Sequence, residues 1–171
     1  IGYIVSIIYL LLQGVGDGSQ PLVSRYYGEG KAAGTAAMER LAYLTAAGVT
    51  MVCMLGVFLT RRQIGVLFGA SADASADVAR YLPYFLAPLL FLAFVRVTTS
   101  CFFATEETLL SYILVYAEPV CTLLLLLVLP PLLPPALRLT SVWLAVPLAQ
   151  TAAFGVGLFE KRLVRVRQKV S

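Results

Sequence analysis

Long apolar runs alternate with short polar breaks along the whole chain. Five runs are long enough to cross a bilayer as helices, at roughly 3–27, 36–60, 80–103, 109–130 and 141–160. About 18 predominantly apolar residues suffice for a hydrocarbon core about 30 Å thick. The pattern predicts an all-α, polytopic transmembrane helix bundle. No internal repeat appears. An odd number of spans is unusual for a whole transporter, which is often built from two matching halves. The chain also begins at Ile1 rather than Met, so it is expected to start in mid-protein and to form most of one half.

Several runs carry residues that do not suit lipid. The first contains IGYIVSIIYLLL and then QGVGDGSQP, residues 13–21, with three glycines, a proline and one acid. Irregular backbone is tolerated at membrane depth only where protein or water covers it. This segment is therefore expected to be a weakened or interrupted stretch of helix that walls a cavity. Pro83, Pro88, Pro119 and Pro147 lie inside later spans and are candidate bend points.

Asp17, Arg96 and Glu118 are ionisable residues inside spans. Each costs at least about 2.5 kcal/mol at the bilayer centre, and such residues usually face a bundle interior or a water-filled cavity. Counted along their helices, all three fall within roughly one helical turn of the same depth. Arg96 and Glu118 are also equally far from position 107, in the turn ATEETLL. An antiparallel hairpin brings such residues level, which predicts an ion pair. The pair could fix the register of the hairpin or take part in transport. Asp17 is a candidate for proton or cation contact. Its alternative role is a local hydrogen bond that stabilises a helix break. Gln20 stands beside it as a transport candidate. Gln13, Ser24, Thr99 and Gln150 are candidate cavity-lining residues, although Ser and Thr in spans more often bond between helices.

Composition agrees with this class. Of 171 residues, 60% are hydrophobic and 13% charged, against about 45–50% and about 25% in ordinary soluble domains. The net charge of +4 comes largely from the tail, where Lys161, Arg162, Arg165, Arg167 and Lys169 gather. That tail has no aromatic interleaving, so it suits topology and lipid headgroups, not nucleic acid. Arg25, Lys31, Arg40 and the tail outweigh Arg61, Arg62, Arg80 and Arg138 on the other side. The positive-inside rule then makes the 25–40 loop, the 104–108 turn and the tail, 161–171, cytoplasmic. RRQIGVLFGASADASAD becomes an external loop with a short interfacial helix at QIGVLFG. Ser141 is the expected cap of the last span, and Trp143 an interfacial residue. Cys53, Cys101 and Cys121 sit in apolar segments as packing residues, not as a disulfide or metal framework. The chain has no His, no nucleophile–base motif and no phosphate loop, so neither an enzyme, nor a metal site, nor an organic cofactor is expected.

The stretch GDGSQPLVSRYYGEGK resembles the second-half signature of multidrug and toxic compound extrusion (MATE) transporters, with its Gly–X–Gln–Pro helix and Tyr–Gly turn. IGVLFGASADASADVARYL, RVTTSCFFATEETLLSYILVYAEP and SVWLAVPLAQ follow in the order and spacing of that family. The resemblance covers nearly the whole chain. It implies a twelve-helix transporter of two six-helix lobes around a central cavity, of which this chain is spans eight to twelve of the C-terminal lobe. It also implies an N-terminal lobe in the same polypeptide, membrane lipid as surroundings and a plasma-membrane location. The family exports cationic or amphipathic small molecules in exchange for H⁺ or Na⁺. Well-known Na⁺-coupled members have an acidic residue in the tenth span. The matching span here holds only Arg80 and Arg96, so that ion site does not carry over. Asp17 and Glu118 are candidates from membrane physics, not inherited family positions.

The expected function is therefore secondary active export by alternating access, by a cation-coupled antiporter. One alternative is a lipid-linked saccharide flippase of the same superfamily, which would favour a larger, more cationic cavity. Another is a non-transporting membrane scaffold subunit, in which Asp17 would be satisfied at a helix interface and see no water.

Overall fold

A computed structural model describes residues 2–134 and 138–170. They form six helices: α1 (Gly2–Gly28), α2 (Ala32–Leu67), α3 (Ala72–Leu86), α4 (Leu89–Ala104), α5 (Thr108–Leu132) and α6 (Arg138–Val170). Pro135 of the leucine-rich segment, the side chain of Lys169 and Ser171 lie outside the described residues.

α4 is the centre of the bundle. It touches α1, α2, α5 and α6, and it is buried along most of its length, from Leu89 to Ala104. Ile8 and Leu12 of α1, Ala46 of α2 and Leu82 of α3 close the larger part of the core against it. Phe102 of α4, Leu114 of α5 and Ala153 of α6 form a second, smaller cluster. An aromatic ladder ties the two parts together. Tyr43 stacks on Phe94, which meets Phe154 edge-on, and Phe154 stacks on Phe91.

The outer faces are apolar and open. Leu55 and Leu59 of α2, and Leu123, Leu124 and Leu127 of α5, are exposed. Water would not tolerate a surface this apolar, whereas lipid tails suit it. By length and apolarity α2, α5 and α6 each qualify as a span, and α3 with α4 makes a fourth. α1 does not join that set, because Gln13 to Pro21 dilute its apolar character.

Four expectations need correction. First, α1 is not interrupted: QGVGDGSQP is helical throughout. A proline within a helix removes one donor, and the neighbouring turns hold. Gln13 bonds Asp17 one turn on, and the Ser19 hydroxyl donates to the carbonyl of Gly16 at 2.8 Å. Second, the third span begins at Ala72 and not near 80, and it is two helices meeting at 44°, bent at the expected Pro88. Ala87–Pro88 forms the break, since the Pro88 nitrogen has no hydrogen to continue α3. Third, QIGVL is the last part of α2, not a separate interfacial helix. α2 ends at Leu67 and the chain turns at Gly69, whose φ of +69° only glycine adopts without strain; Ala70 N–H then bonds back to Gly65 O at 2.9 Å. Fourth, Ser141 does not cap α6. The helix begins earlier, and the Ser141 hydroxyl donates to Arg138 O at 2.7 Å.

Candidate functional site

Gln13, Asp17, Gln20 and Ser24 follow one another at spacings of four, three and four residues. On a helix this places them on one stripe. The stripe lies beside the face that buries Ile8, Leu12, Gly16 and Val23. Asp17 and Ser24 are exposed, and Gln13 and Gln20 half-buried. The Gln13 amide donates to both Asp17 carboxylate oxygens, at 3.0 and 3.2 Å. Asp17 therefore has a neutral donor on its own helix and no cation within 4.0 Å among the described residues.

Tyr9 extends the stripe by one turn. The Arg96 guanidinium lies over its ring, 4.0 Å from the centroid. This links the α1 stripe to the buried charges of α4 and α5. Arg96 Nη2 meets Glu118 Oε2 at 3.5 Å, with both side chains largely shielded. The hairpin register expected from position 107 is thus present. The second carboxylate oxygen of Glu118 accepts from the Gln150 amide on α6 at 3.2 Å. The Arg96 Nε, by contrast, is buried without a protein partner. Guanidinium, carboxylate and carboxamide together join α4, α5 and α6 at one level.

Tyr9, Arg96 and Glu118 line an open cleft of about 590 Å³. Tyr9, Arg96, Glu118, Tyr116 and Thr122 supply its polar atoms, and Leu123, Leu126 and Val146 its apolar wall. The cleft is mainly apolar with a few convergent polar groups, as small-molecule sites tend to be. Aromatic rings beside a carboxylate suit organic cations.

The remaining candidates sit elsewhere. Thr99 does not line the cleft: it is buried, and its hydroxyl donates to Val95 O at 2.9 Å. Its own carbonyl accepts from Ser111 of α5 at 2.8 Å, so Thr99 joins helices. Gln150 is buried and reaches the site as the ligand of Glu118. Ser24 lies two turns beyond Asp17 on the open stripe.

A second polar centre is not apparent from the sequence. Lys161 of α6 donates to Glu39 of α2 at 3.1 Å and to the Tyr43 hydroxyl at 2.8 Å. The Tyr43 hydroxyl lies 2.8 Å from that of Thr98, which itself bonds Phe94 O on α4. Lys161 is thus part of a half-buried clamp and not of a solvated basic tail. The only signal for it is the Glu39–Tyr43 spacing, which puts an acid and a phenol on one helix face. Beside the clamp is a cleft of about 580 Å³ lined by Tyr27, Glu39, Thr105, Lys161 and Arg165.

No group of His, Cys, Asp or Glu able to hold a metal occurs among the described residues. The chain matches no curated protein and no solved structure significantly. The family model MatE matches residues 2–132, from the start of α1 to the end of α5. That stretch contains the polar stripe, the broken α3–α4 span and both partners of the Arg96–Glu118 pair. The chain therefore belongs to the MatE family, whose members are membrane transporters of the multidrug and toxic compound extrusion type and not enzymes.

Proposed function

We propose that the chain is the C-terminal lobe of a cation-coupled antiporter that exports cationic or amphipathic compounds by alternating access. The observation that carries this reading is the cleft in which Tyr9, Arg96 and Glu118 meet, next to the open carboxylate stripe of α1. An apolar wall with aromatic rings takes the body of an amphipathic cation. Glu118 is neutralised by Arg96 and also accepts from Gln150, whereas Asp17 has only an amide partner. Asp17 is thus the carboxylate free to exchange H⁺ or Na⁺, and Gln20 is the neighbouring polar group on its stripe. The second lobe would close the cleft from the side that α1 and α5 leave open. The plasma membrane is the expected location, with the α1–α2 turn, the α4–α5 turn and the end of α6 on the cytoplasmic side.

Two observations weigh against the other readings. Arg96 is engaged by Glu118 and Tyr9, so it offers no free cation for a lipid-linked phosphate. Asp17 is exposed, where a scaffold would bury it. The test is Asp17→Asn in the full-length transporter in proteoliposomes, with efflux of a cationic dye followed at several pH values. Loss of efflux and of its pH dependence is expected. Unchanged efflux and pH dependence reject the coupling role.

A further inference from the structure

One face of α6 is made of small residues. Ser141, Ala145, Ala149, Ala153 and Gly157 are all buried along it. The spacing of four residues keeps them on one side of the helix, where they let α5 and α4 approach closely. At Gly157 a side-chain carbon would stand only 3.4 Å from atoms of Leu114 and Phe94. The next residue on the same face is Glu160. It is 3% exposed. Both of its carboxylate oxygens are buried, and neither has a hydrogen-bond partner.

The charged groups around it are committed elsewhere. On α4, Arg96 pairs with Glu118. At the head of α5, Glu107 lies 3.9 Å from Arg167 of α6. Lys161 turns away to Glu39 and Tyr43 of α2. α3 meets α6 at the far end, through Phe85 on Trp143, well away from Asp73, Asp77 and Arg80. No cation among the described residues comes within 4.0 Å of Glu160. The antiparallel register that sets Gly157 against Leu114 brings Glu160 level with Ser111, a fully buried hydroxyl on α5.

A carboxylate cannot stay ionised in such a place without a cation or several donors, because desolvation is uncompensated. The neutral acid loses far less on burial. We infer that Glu160 is a proton-binding site: in this packing of α4, α5 and α6 it holds a proton at neutral pH, and it releases the proton only when α6 moves away and water reaches it. The site is separate from the cleft and from Asp17, and it stands whether or not Asp17 couples transport. The ligand is the proton itself, bound to one carboxylate oxygen and returned to water with no other bond changed.

The experiment is infrared difference spectroscopy of the full-length protein in lipid nanodiscs as the pH is raised through neutrality. A protonated-carboxyl C=O band is expected at neutral pH in the wild type and should be lost in Glu160→Gln. Thermal stability supplies a second readout. An acid protonated in the folded state and ionised in the unfolded one makes stability fall as pH rises. Wild type should show that fall, and Glu160→Gln and Glu160→Ala should flatten it. The absence of any such band in wild type at neutral pH overturns the inference without any variant. A band that persists in both variants overturns it as well.

Discussion

Arg96 and Glu118, one on each arm of the α4–α5 hairpin, meet at 3.5 Å, and each also holds a third helix. Arg96 lies over Tyr9 of α1, and Glu118 accepts from Gln150 of α6. One pair therefore connects four helices. Removing one partner leaves an unpaired charge in a shielded site, which typically costs about 3–5 kcal/mol when burial is complete. Both groups keep some contact with the open cleft, so the lower end applies. Glu118→Leu or Arg96→Met alone should destabilise the full-length protein by about 3 kcal/mol. The double variant should recover much of that stability, because it leaves no lone charge. If the pair only fixes register, transport returns with stability. If it takes part in transport, the double variant folds and does not pump. Thermal unfolding and dye efflux on the same preparations separate the two.

Gly16 of α1 has a packing role besides loosening the helix. A side-chain carbon at Gly16 would stand 2.6 Å from the Ser100 hydroxyl oxygen and 3.4 Å from Arg96 O. The first contact can yield by rotation or removal of the hydroxyl, and the second is near ordinary contact. Gly16→Ala should cost about 1–2 kcal/mol by overpacking, and adding Ser100→Ala should remove most of that cost. At Gly65 the obstacle is the Ser75 backbone, 2.6 Å away, which cannot rotate aside. Gly65→Ala should be the more damaging change, and no substitution that only trims the Ser75 side chain should rescue it. Melting temperatures of the two pairs of variants test the contrast.

Lys161 carries two short bonds across the bundle, to Glu39 and Tyr43. Hydrogen bonds to charged groups contribute about 1.5–3 kcal/mol each. Lys161→Met should therefore destabilise by about 2–3 kcal/mol, since Glu39 loses its partner while remaining partly buried. Tyr43→Phe removes the bond from the Lys161 ammonium and the bond to Thr98 but leaves the Lys161–Glu39 pair, and should cost less, about 1.5 kcal/mol. Lys161→Arg should not restore wild-type stability, because a planar fork cannot reach an acid and a phenol as one ammonium does. Differential scanning fluorimetry of the three variants checks the order.

The helices were readable because long apolar runs at this length have few other outcomes. The Arg96–Glu118 contact was readable because a tight hairpin converts equal sequence distance into equal height. The bend at Ala87–Pro88 was readable only as a proline inside a span, since its size depends on how α3 packs against α2. The continuity of α1 departs from local preference: three glycines and a proline weaken a helix in isolation, but the Gln13–Asp17 bond supports one turn from within, and the close contact of Gly16 with α4 is a tertiary gain that local propensity does not contain. Lys161 was misread for a similar reason. It follows Glu160 at the end of the last long apolar run and precedes four more cations, so pattern alone assigns it to the tail. α6 simply continues, and the helix carries its side chain back to Glu39. Thr99 looked like a cavity residue because its hydroxyl is polar, yet a carbonyl one turn back satisfies it.

The α4–α5 turn contains the clearest departure from local preference. Glu106 has a φ of +65°, in the left-handed region where a side chain costs roughly 1–2 kcal/mol. The hydrogen bonds show why the chain accepts it. Thr105 N–H bonds Cys101 O, and Glu107 N–H bonds Phe102 O, both at 3.0 Å. This closure satisfies the last carbonyls of α4 and demands a left-handed residue between the two helices. Glycine meets that demand without strain, although it also enlarges the entropy of the unfolded chain. The balance favours the folded state, so Glu106→Gly should stabilise the protein by up to about 1 kcal/mol. Glu106→Val should destabilise it, because a β-branched side chain tolerates this region worst. Neither change touches the cleft, so dye efflux should stay at the wild-type level in Glu106→Gly while its melting temperature rises. A fall in melting temperature would mean that the Glu106 side chain supplies a contact outweighing its backbone strain.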